Sequence, residues 1–226
     1  MTGVYVTGTD TGVGKTLAST CLLHALRSQG LRAVGMKPLA SGCMHTVDGW
    51  RNEDALALQQ ASDPRVDYDD INPYPLPLPL APEFAARAAG IEIALDPVLA
   101  AHARLAARAD VVVVEGVGGW MAPLSATLDQ IDLVRALQLP VVLVVGLRLG
   151  CLNHARLSAR AIAAEGARLV GWIASEIDPD MACRDENFET LRQRLAAPCL
   201  GRLPWCSKPD PASLSQCLQV GTLMAS

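Results

Sequence analysis

The feature that most constrains the fold is a glycine-rich turn over residues 8–16, Gly-Thr-Asp-Thr-Gly-Val-Gly-Lys-Thr, between a β-branched segment and an alanine- and leucine-rich one. A strand that runs through such a turn directly into a helix is the context of a phosphate-binding loop, or P-loop. Its glycines let backbone N–H groups point at phosphate oxygens, and the helix N-terminus adds positive potential. Lys15 is expected to reach the outer phosphates and the Thr16 hydroxyl to ligate Mg²⁺. Thr9 stands where the first glycine of such a loop is usual.

Short apolar strands alternate with helices along the chain, as they do in α/β proteins. Buried parallel strands, which are apolar nearly throughout, are predicted over Val4–Thr7, Ala33–Lys37, Val111–Val114, Val141–Val145 and Leu169–Ala174. Helices are predicted over Thr16–Ser28, Glu53–Gln60, Asp96–Arg108, Asp129–Leu137, Asn153–Glu165 and Asp185–Leu195. The predicted fold class is a single-domain, doubly wound, mostly parallel sheet flanked by helices, of the P-loop NTPase type, in which ligands bind beyond the carboxyl ends of the strands.

The chain is expected to form one domain over residues 1–226, because most domains are of about this size or smaller. The segment Asn72–Pro82 has a proline at almost every second position. Since proline cannot donate to a sheet ladder, this segment is predicted to be an extended surface loop. Asp96, which precedes Pro97, is predicted to be the N-cap of a helix. The tail from about residue 207 to 226 has no informative pattern.

Composition argues against several partners and locations. The net charge of −4 and the pI near 5.5 do not favour nucleic acid or an anionic membrane as a partner. The longest apolar run, Val141–Val145, is far shorter than the roughly 18–20 residues of a membrane span. The seven cysteines form no Cys-x-x-Cys pair, so neither a zinc site nor a disulfide framework is expected. No signal peptide is recognisable, and a cytoplasmic location is expected.

A second lysine and a serine follow the second predicted strand, where the topology brings the chain beside the P-loop. Lys37 could stabilise a developing negative charge, and the Ser41 hydroxyl could donate or accept a hydrogen bond. From position alone, a surface lysine is an equally good interpretation of Lys37.

Two acidic residues are candidates for metal binding. Glu115 comes directly after a run of four valines, in the position of the acid that follows the metal-proximal strand of P-loop enzymes. Asp54 lies at a helix start, where a capping role is the commoner one. Together with Thr16 they would form a set of hard oxygen ligands, which Mg²⁺ favours.

A third element runs from a strand into a helix at residues 149–154, Leu-Gly-Cys-Leu-Asn-His. Free N–H groups at a helix N-terminus could hold a carboxylate. Cys151 and His154 could suggest a nucleophilic pair, but they lack an activating context, so this interpretation is not favoured.

These motifs, in this order, resemble those of the dethiobiotin synthetases over about residues 3–205. The resemblance rests on the P-loop at 8–16, Lys-Pro-Leu-Ala-Ser-Gly at 37–42, Arg-Asn-Glu-Asp-Ala at 51–55, Asn-Pro-Tyr at 72–74, Val-Glu-Gly-Val-Gly-Gly-Trp at 114–120, the 149–154 segment and Leu-Pro-Trp at 203–205. It implies an ATP- and Mg²⁺-dependent ring closure of 7,8-diaminononanoate with CO₂, by way of a carbamate and a carbamic–phosphoric anhydride.

The resemblance also implies a role for individual residues. The catalytic residues would be Lys37, Lys15 and Thr11, and the metal ligands Thr16, Asp54 and Glu115. The nucleotide would contact Gly12, Val13, Gly14, Lys15, Thr16, Leu17, Asp54, Glu115, Gly116, Val117, Gly118, Ser175, Glu176, Pro204, Trp205 and Cys206. The substrate would contact Thr11, Lys37, Ser41, Gly118, Cys151, Leu152 and Asn153. The last three would act across the interface of a homodimer.

The sequence departs from the family's pattern at two places. Ser175 stands where an asparagine often contacts the adenine, and serine cannot offer the paired donor and acceptor of an amide. A common tyrosine near the substrate tail is absent, and Asn187 and Phe188 occupy that region. The rival interpretations are a partition-type P-loop ATPase, an amidoligase-type synthetase and a non-catalytic nucleotide-binding module. Partition ATPases generally carry an extra lysine early in the P-loop, where this chain has Thr9 and Asp10.

Overall fold

The computed structural model describes residues 3–224, and the predictions for residues 1, 2, 225 and 226 lie outside that range. The strands are β1 (Gly3–Gly8), β2 (Ala33–Met36), β3 (Leu39–Ser41), β4 (Met44–Thr46), β5 (Gly49–Arg51), β6 (Tyr74–Leu76), β7 (Val111–Gly119), β8 (Val141–Leu147), β9 (Leu169–Glu176) and β10 (Cys199–Leu203). The helices are α1 (Lys15–Ser28), α2 (Glu53–Ala61), α3 (Tyr68–Ile71), α4 (Pro82–Ala89), α5 (Leu95–Ala106), α6 (Gln130–Leu137), α7 (Cys151–Ala164), α8 (Arg184–Arg194), α9 (Pro211–Leu214) and α10 (Gly221–Met224), with a 3₁₀ turn at Ser215–Cys217.

The centre of the molecule is a six-stranded parallel sheet in the order β10-β9-β8-β1-β7-β2. Its middle strands are buried along almost their whole length, because helices cover them on both faces. This explains the valine-rich runs, in which side chains on both faces of a strand are apolar. All five predicted strands are confirmed, and β10, which completes one edge, was not predicted.

The chain changes direction across the sheet at β1. It first crosses from β1 over β7 to β2, and later moves the other way, from β7 through β8 and β9 to β10. Since parallel crossovers are right-handed, the two directions place helices on opposite faces. Helix α1 packs with α2 and α9, whereas α5 packs with α6 and α7 with α8. The doubly wound fold class is confirmed, and its switch point lies where β1 ends between β7 and β8.

The prediction of an extended surface loop over Asn72–Pro82 is wrong in part. Residues Tyr74–Leu76 form a short parallel pair with Leu39–Ser41, and Asn72 is buried. The alternating prolines are compatible with this pairing because only every second residue of a strand faces a given neighbour. Tyr74 donates its N–H to the carbonyl of Pro38, just before that neighbour, and Pro75 faces away from it. The segment ends where Pro82 begins α4, a helix that was not predicted.

The predicted cap of the following helix is also wrong. Ala94 is the N-cap residue of α5, so Asp96 lies within the first helical turn. The Ala94 N–H is satisfied by the Tyr74 hydroxyl, at 3.0 Å, which lets the helix begin without a side-chain cap. Asp96 still interacts favourably with the helix dipole from this position.

The C-terminal segment from about residue 207, which has no informative sequence pattern, packs against the rest of the domain. Helix α9 packs against α1, and the side chains of Leu218, Val220 and Leu223 are buried. Helix α7 begins at Cys151, two residues before its predicted start. Within residues 3–224, no helix combines the length and the apolarity that crossing a membrane requires.

Candidate active site

The P-loop connects the end of β1 to the start of α1, at the switch point of the sheet. Gly12 and Gly14 have positive φ values of 73° and 85°, so the backbone here is in the left-handed region that glycine favours. Gly14 is also the N-cap of α1, and a Cβ atom at this position would lie 2.5 Å from the Ser175 Oγ. The turn is therefore restricted to glycine by its conformation and by close packing.

Lys15 is buried in this loop, and its hydrogen-bond partner is a neutral group that does not balance its charge. Its Nζ donates to the backbone carbonyl of Asp10 at 2.9 Å. Burial, together with the nearby cation of Lys37, lowers the pKa of Lys15 to about 8. A bound polyanion would relieve both effects, as the lysine of a P-loop does when it contacts phosphate.

Lys37 is buried between two carboxylates, so its interpretation as a surface lysine is wrong. Its side chain is 4% exposed, and its Nζ lies 2.6 Å from Glu115 Oε1 and 3.0 Å from Asp54 Oδ2. Burial acts to lower the pKa of Lys37, but Glu115 and Asp54 outweigh burial and hold that pKa above its ordinary value. The ammonium group therefore stays charged in the interior.

Asp54 does not cap its helix. The side chain of Asn52 is the cap of α2 and accepts the Asp54 N–H at 3.0 Å. Burial acts to raise the pKa of Asp54, but Lys37 and a hydrogen bond from Thr16 hold it below the ordinary value. The capping interpretation is wrong because a neighbouring residue already performs that role and leaves the Asp54 carboxylate to face Lys37.

Glu115 has one paired and one unpaired oxygen. Strand β7 continues through this residue to Gly119 and does not end before it, as the sequence had suggested. Oε1 accepts from Lys37 and from the Thr16 hydroxyl, the latter at 2.9 Å. Oε2 is buried and has no hydrogen-bond partner among residues 3–224. A buried carboxylate oxygen that lacks a partner is a position for a ligand to fill.

Thr16, Asp54 and Glu115 fit a Mg²⁺ ion by their chemistry. The set offers one hydroxyl and two carboxylates, and Mg²⁺ usually takes one or two carboxylates together with phosphate oxygens and waters. The described part of the chain holds no group of three or more His, Cys, Asp or Glu that could bind a metal ion by itself. The two carboxylates are therefore an incomplete ligand set that phosphate and water would complete.

One cavity of about 730 Å³ brings many of the predicted site residues together. It is lined by Thr11, Gly12, Gly14, Lys15, Thr16, Lys37, Ser41, Asp54, Glu115, Val117 and Gly118. The Ser41 hydroxyl is buried and makes no hydrogen bond to any described residue, so it is available to a ligand. Val13, Leu17 and Gly116 lie beside these residues in the chain but do not line the cavity.

Part of the cavity wall was missed by sequence reasoning. Ala40, Ala122 and the segment Pro79–Pro82 form an apolar side opposite the charged groups, and Asn52 contributes an amide. The prolines of this segment marked it as extended but gave no sign that it returns to the P-loop. Only the pairing of β6 with β3 brings it there.

The residues predicted for the nucleotide base lie at the ends of β9 and β10, outside this cavity. Ser175 packs against Gly14 of the P-loop. The Glu176 carboxylate accepts from Arg184 at 2.7 Å, from Arg202 at 2.6 Å and from the Trp205 N–H at 3.3 Å. Its oxygens thus join β9 to α8, to β10 and to the segment after β10, which contains Pro204, Trp205 and Cys206.

Comparison with known proteins identifies the family. A family model described as an AAA domain matches residues 2–213. An ATP-dependent dethiobiotin synthetase BioD of Xanthomonas euvesicatoria pv. vesicatoria (strain 85-10) is 68% identical over 216 residues, which cover 96% of each chain. A protein of the same name from Xylella fastidiosa (strain 9a5c) is 65% identical over 204 residues, or 90% of each chain. The chain belongs to the dethiobiotin synthetase family.

Solved structures that resemble this dethiobiotin synthetase family member show its fold alone. MinD in the MinC:MinD cell division protein complex of Aquifex aeolicus matches with a TM-score of 0.53 at 13% identity, over 94% of this chain and 84% of that one. The signal recognition particle receptor FtsY of Elizabethkingia anophelis matches with a TM-score of 0.52 at 17% identity, over 95% of this chain. The matched region spans 64% of the FtsY chain, less than two thirds of its length.

The turn predicted to bind the substrate carboxylate in this family lies at the start of α7, and its residues do not line the cavity of their own chain. The Cys151 and Asn153 N–H groups donate to the carbonyls of Arg148 and Gly150, at 3.0 and 3.1 Å. Burial raises the pKa of the Cys151 thiol, which does not favour a nucleophile. Arg148 forms a 2.5 Å ion pair with Asp10, so this turn is attached to the P-loop.

Proposed function

We propose that the chain catalyses the ATP-dependent closure of the cyclic urea of dethiobiotin from 7,8-diaminononanoate and CO₂. One amine captures CO₂ as a carbamate and releases a proton. A carbamate oxygen attacks the γ-phosphate and ADP leaves. The second amine then attacks the carbamoyl carbon and loses a proton, the carbon–oxygen bond to phosphate breaks, phosphate leaves, and the ring closes. The observation that carries this proposal is the buried Lys37, held by two carboxylates beside a P-loop, in a chain that matches dethiobiotin synthetases over nearly its full length.

The positive groups of the cavity support the phosphoryl-transfer step. Such a transfer depends mainly on positioning the reactants and on stabilising charge at the transferred group. Lys15 supplies a buried cation that its own hydrogen bond leaves unneutralised, and Lys37 supplies a second cation at the same cavity. Thr11 completes the proposed catalytic set, since it lines the cavity at the open side of the loop.

We assign Mg²⁺ to Thr16, Asp54 and Glu115. The ion, when bound, neutralises charge on the phosphate oxygens. The assignment is supported by the unpaired Oε2 of Glu115 and by the hydrogen bonds from Thr16 to Glu115 and Asp54. Because Lys37 contacts both carboxylates, it remains beside them to attract the carbamate oxygen that attacks the phosphate.

The substrate contacts divide between two copies of the chain. Ser41, Thr11 and Gly118 line the cavity and would face the diamine and its carbamate. The Cys151–Asn153 turn does not line this cavity, and we propose, from the family resemblance, that it contacts the substrate of a partner copy. Leu149 and Leu157, on either side of this turn, are 92% and 57% exposed, which supports a homodimer that covers them.

The homodimer can be tested by an introduced charge. Replacing Leu149 by aspartate would place a carboxylate in the proposed interface without touching the cavity. We expect sedimentation to show monomers and the turnover to fall with dimer content. A Leu149→Asp protein that stays dimeric and fully active would contradict the shared site.

The base of the nucleotide would lie near Ser175, Glu176 and the segment Pro204–Cys206. Since the Glu176 carboxylate is held by two arginines, we expect it to shape this site through the backbone more than to read the base directly. We also propose a cytoplasmic location, which suits an ATP-dependent biosynthetic enzyme whose seven cysteines are free thiols.

The proposal is tested by product analysis. The protein is incubated with diaminononanoate, bicarbonate, Mg²⁺ and each nucleoside triphosphate in turn, and the cyclic urea is measured by mass spectrometry. We expect dethiobiotin with ATP, and phosphate release that requires both the diamine and bicarbonate. Phosphate release without the diamine would indicate a switch ATPase, and nucleotide binding without turnover would indicate a non-catalytic module.

A further inference from the structure

A buried amide supports the backbone of Lys37. The Nδ2 of Asn72 donates to the Lys37 carbonyl at 2.7 Å, and the Lys37 N–H donates to the Ile71 carbonyl at 2.8 Å. Asn72 is 2% exposed. Both polar groups of the Lys37 backbone are therefore fixed by one short segment at the end of α3.

The same amide is joined to a tyrosine and then to Asn52. The Tyr68 hydroxyl donates to Asn72 Oδ1 at 3.2 Å and accepts the Asn52 N–H at 2.8 Å. Arg51 stacks over the Tyr68 ring, with its guanidinium carbon 4.1 Å from the ring centre. These contacts hold the residue before α2 against the residue after α3.

Asn52 carries the chain of hydrogen bonds back to the cavity. Its Oδ1 accepts the Asp54 N–H at 3.0 Å, and its Nδ2 donates to the Ser41 carbonyl at 3.2 Å. Asp54 and Ser41 both line the cavity with Lys37. One connected set of side chains thus begins at the Lys37 backbone and ends at the backbones of Asp54 and Ser41.

We propose that Asn52, Tyr68 and Asn72 are positioning residues for ring closure, which set Lys37, Asp54 and Ser41 relative to one another. This inference rests on the proposed function. Its physical reason is that Lys37 and Asp54 lie on different segments of the chain, yet their side chains meet at 3.0 Å beside the cavity. A shift of about 1 Å between reacting groups can reduce a rate about 100-fold, so the distance between the two backbones must be held.

The P-loop meets this set of contacts only indirectly, through the hydrogen bond of Thr16 to Asp54. Within residues 3–224, Asn52, Tyr68 and Asn72 make no hydrogen bond of their own to Lys15 or Thr16, and Lys15 is held by the Asp10 carbonyl. Loosening the set should therefore disturb the chemical step and the diamine more than the binding of ATP. A residue with a merely structural role would change stability without this split.

The decisive variant is Tyr68→Phe, with Tyr74→Phe as its matched control. Both tyrosines are buried, and each hydroxyl makes two hydrogen bonds; that of Tyr74 joins it to the Ala94 backbone. We expect Tyr68→Phe to lower kcat by about tenfold and to leave the KM for ATP within about twofold. Tyr74→Phe should lower the melting temperature by a similar amount but change kcat less than about twofold.

A second variant protects the test from a folding failure. Asn52→Ser keeps a good N-cap for α2 but loses the amide that reaches Ser41, so the KM for the diamine should rise about fivefold or more while the KM for ATP holds. If Tyr68→Phe and Tyr74→Phe lose equal activity, or if Asn52→Ser matches the wild-type chain, the inference is wrong. If the wild-type chain itself makes no dethiobiotin, the proposed function fails first, and the inference falls with it.

Discussion

Glu115 and Glu176 lie on two strands of one sheet and differ in how their carboxylates are satisfied. Glu176, at the end of β9, has both oxygens engaged by two arginines and a backbone N–H. Glu115, in β7, is the more deeply buried of the two, yet its Oε2 has no partner within the described residues. A carboxylate that is fully paired by the protein stabilises the fold. One that is buried and half paired is tolerated where a ligand completes it.

The same contrast separates the two regions around these residues. At the P-loop edge, Lys15, Ser41 and Glu115 each retain a polar group or charge that the protein does not satisfy. At the β9–β10 edge, the charges of Glu176, Asp185, Arg184 and Arg202 satisfy one another. We infer that the P-loop edge carries out the chemistry and that the β9–β10 edge is the rigid support for the nucleotide base.

The largest effect should come from removing the cation between the carboxylates. Lys37→Met keeps most of the volume but withdraws the charge that we propose stabilises the transferred phosphoryl group, and we expect kcat to fall about 1000-fold, which corresponds to about 4 kcal/mol. Arg184→Met removes a cation from Glu176 in the same way, and kcat should change less than about threefold. A coupled assay of ADP release measures both, and equal losses would remove the contrast.

The next effect concerns the metal. Glu115→Gln should raise the Mg²⁺ concentration for half-maximal activity at least about tenfold, because an amide oxygen replaces a charged ligand. Glu176→Gln should leave that concentration unchanged, since its carboxylate already binds arginines. An unaltered Mg²⁺ titration for Glu115→Gln would exclude this residue from the ligand set.

A third prediction concerns the free protein and its pH dependence. The pKa of Lys15 is lowered from 10.5 to about 8, so between these pH values the unfolded chain holds more protons and the contribution of Lys15 to stability rises with pH. At pH 7 the buried charge is destabilising, so the free energy of unfolding of Lys15→Met should be about 2–3 kcal/mol higher than that of the wild-type chain. Denaturant titrations at pH 7 and pH 10 should show this gain shrinking as pH rises.

Replacing Lys37 by methionine should change the free energy of unfolding in the opposite direction. The Lys37 charge is held by Glu115 and Asp54, so Lys37→Met leaves the buried Glu115 and the partly exposed Asp54 without this cation and should destabilise the free protein. Stabilisation by both substitutions would show that the two lysines do not differ as described.

The smallest effect should come from Glu176. Glu176→Gln keeps the shape but weakens two charge-assisted hydrogen bonds, and we expect a loss of about 1–3 kcal/mol in the free energy of unfolding. For a chain of this size that loss corresponds to a fall of roughly 2–12 °C in the melting temperature. A thermal scan checks this, and an unchanged melting temperature would show that the ion pairs do not hold the β9–β10 edge.

The features that are encoded by neighbouring residues in the chain could be predicted from the sequence. The P-loop is a local pattern, and the valine runs before Glu115 and Gly146 identify strands whose ends must meet at one edge of a parallel sheet. Lys37 and Glu115 were placed at that edge by the same argument. Their contact at 2.6 Å could not be predicted, because it depends on the register between β2 and β7.

The parts that were missed depend on contacts between distant segments. Asp96 had a cap pattern, but the Tyr74 hydroxyl fixed the helix start at Leu95 instead. The proline-rich segment was predicted to be a surface loop because proline lacks a donor, although Tyr74, between two prolines, donates its N–H to the Pro38 carbonyl next to β3. The Asn52–Tyr68–Asn72 set has no local pattern, since its members meet only after α2 and α3 fold against the end of β2.

The central claim is that a triphosphate and Mg²⁺ are bound where β1 meets α1, between Lys15 and Lys37. The most direct measurement is a crystal structure with a non-hydrolysable ATP analogue, Mg²⁺ and the diamine. The account predicts phosphates within the loop from Gly12 to Thr16, the metal ion on Thr16, Asp54 and Glu115, and the amines beside Lys37 and Ser41. A nucleotide bound elsewhere, with this loop empty and Glu115 still unpaired, would contradict it.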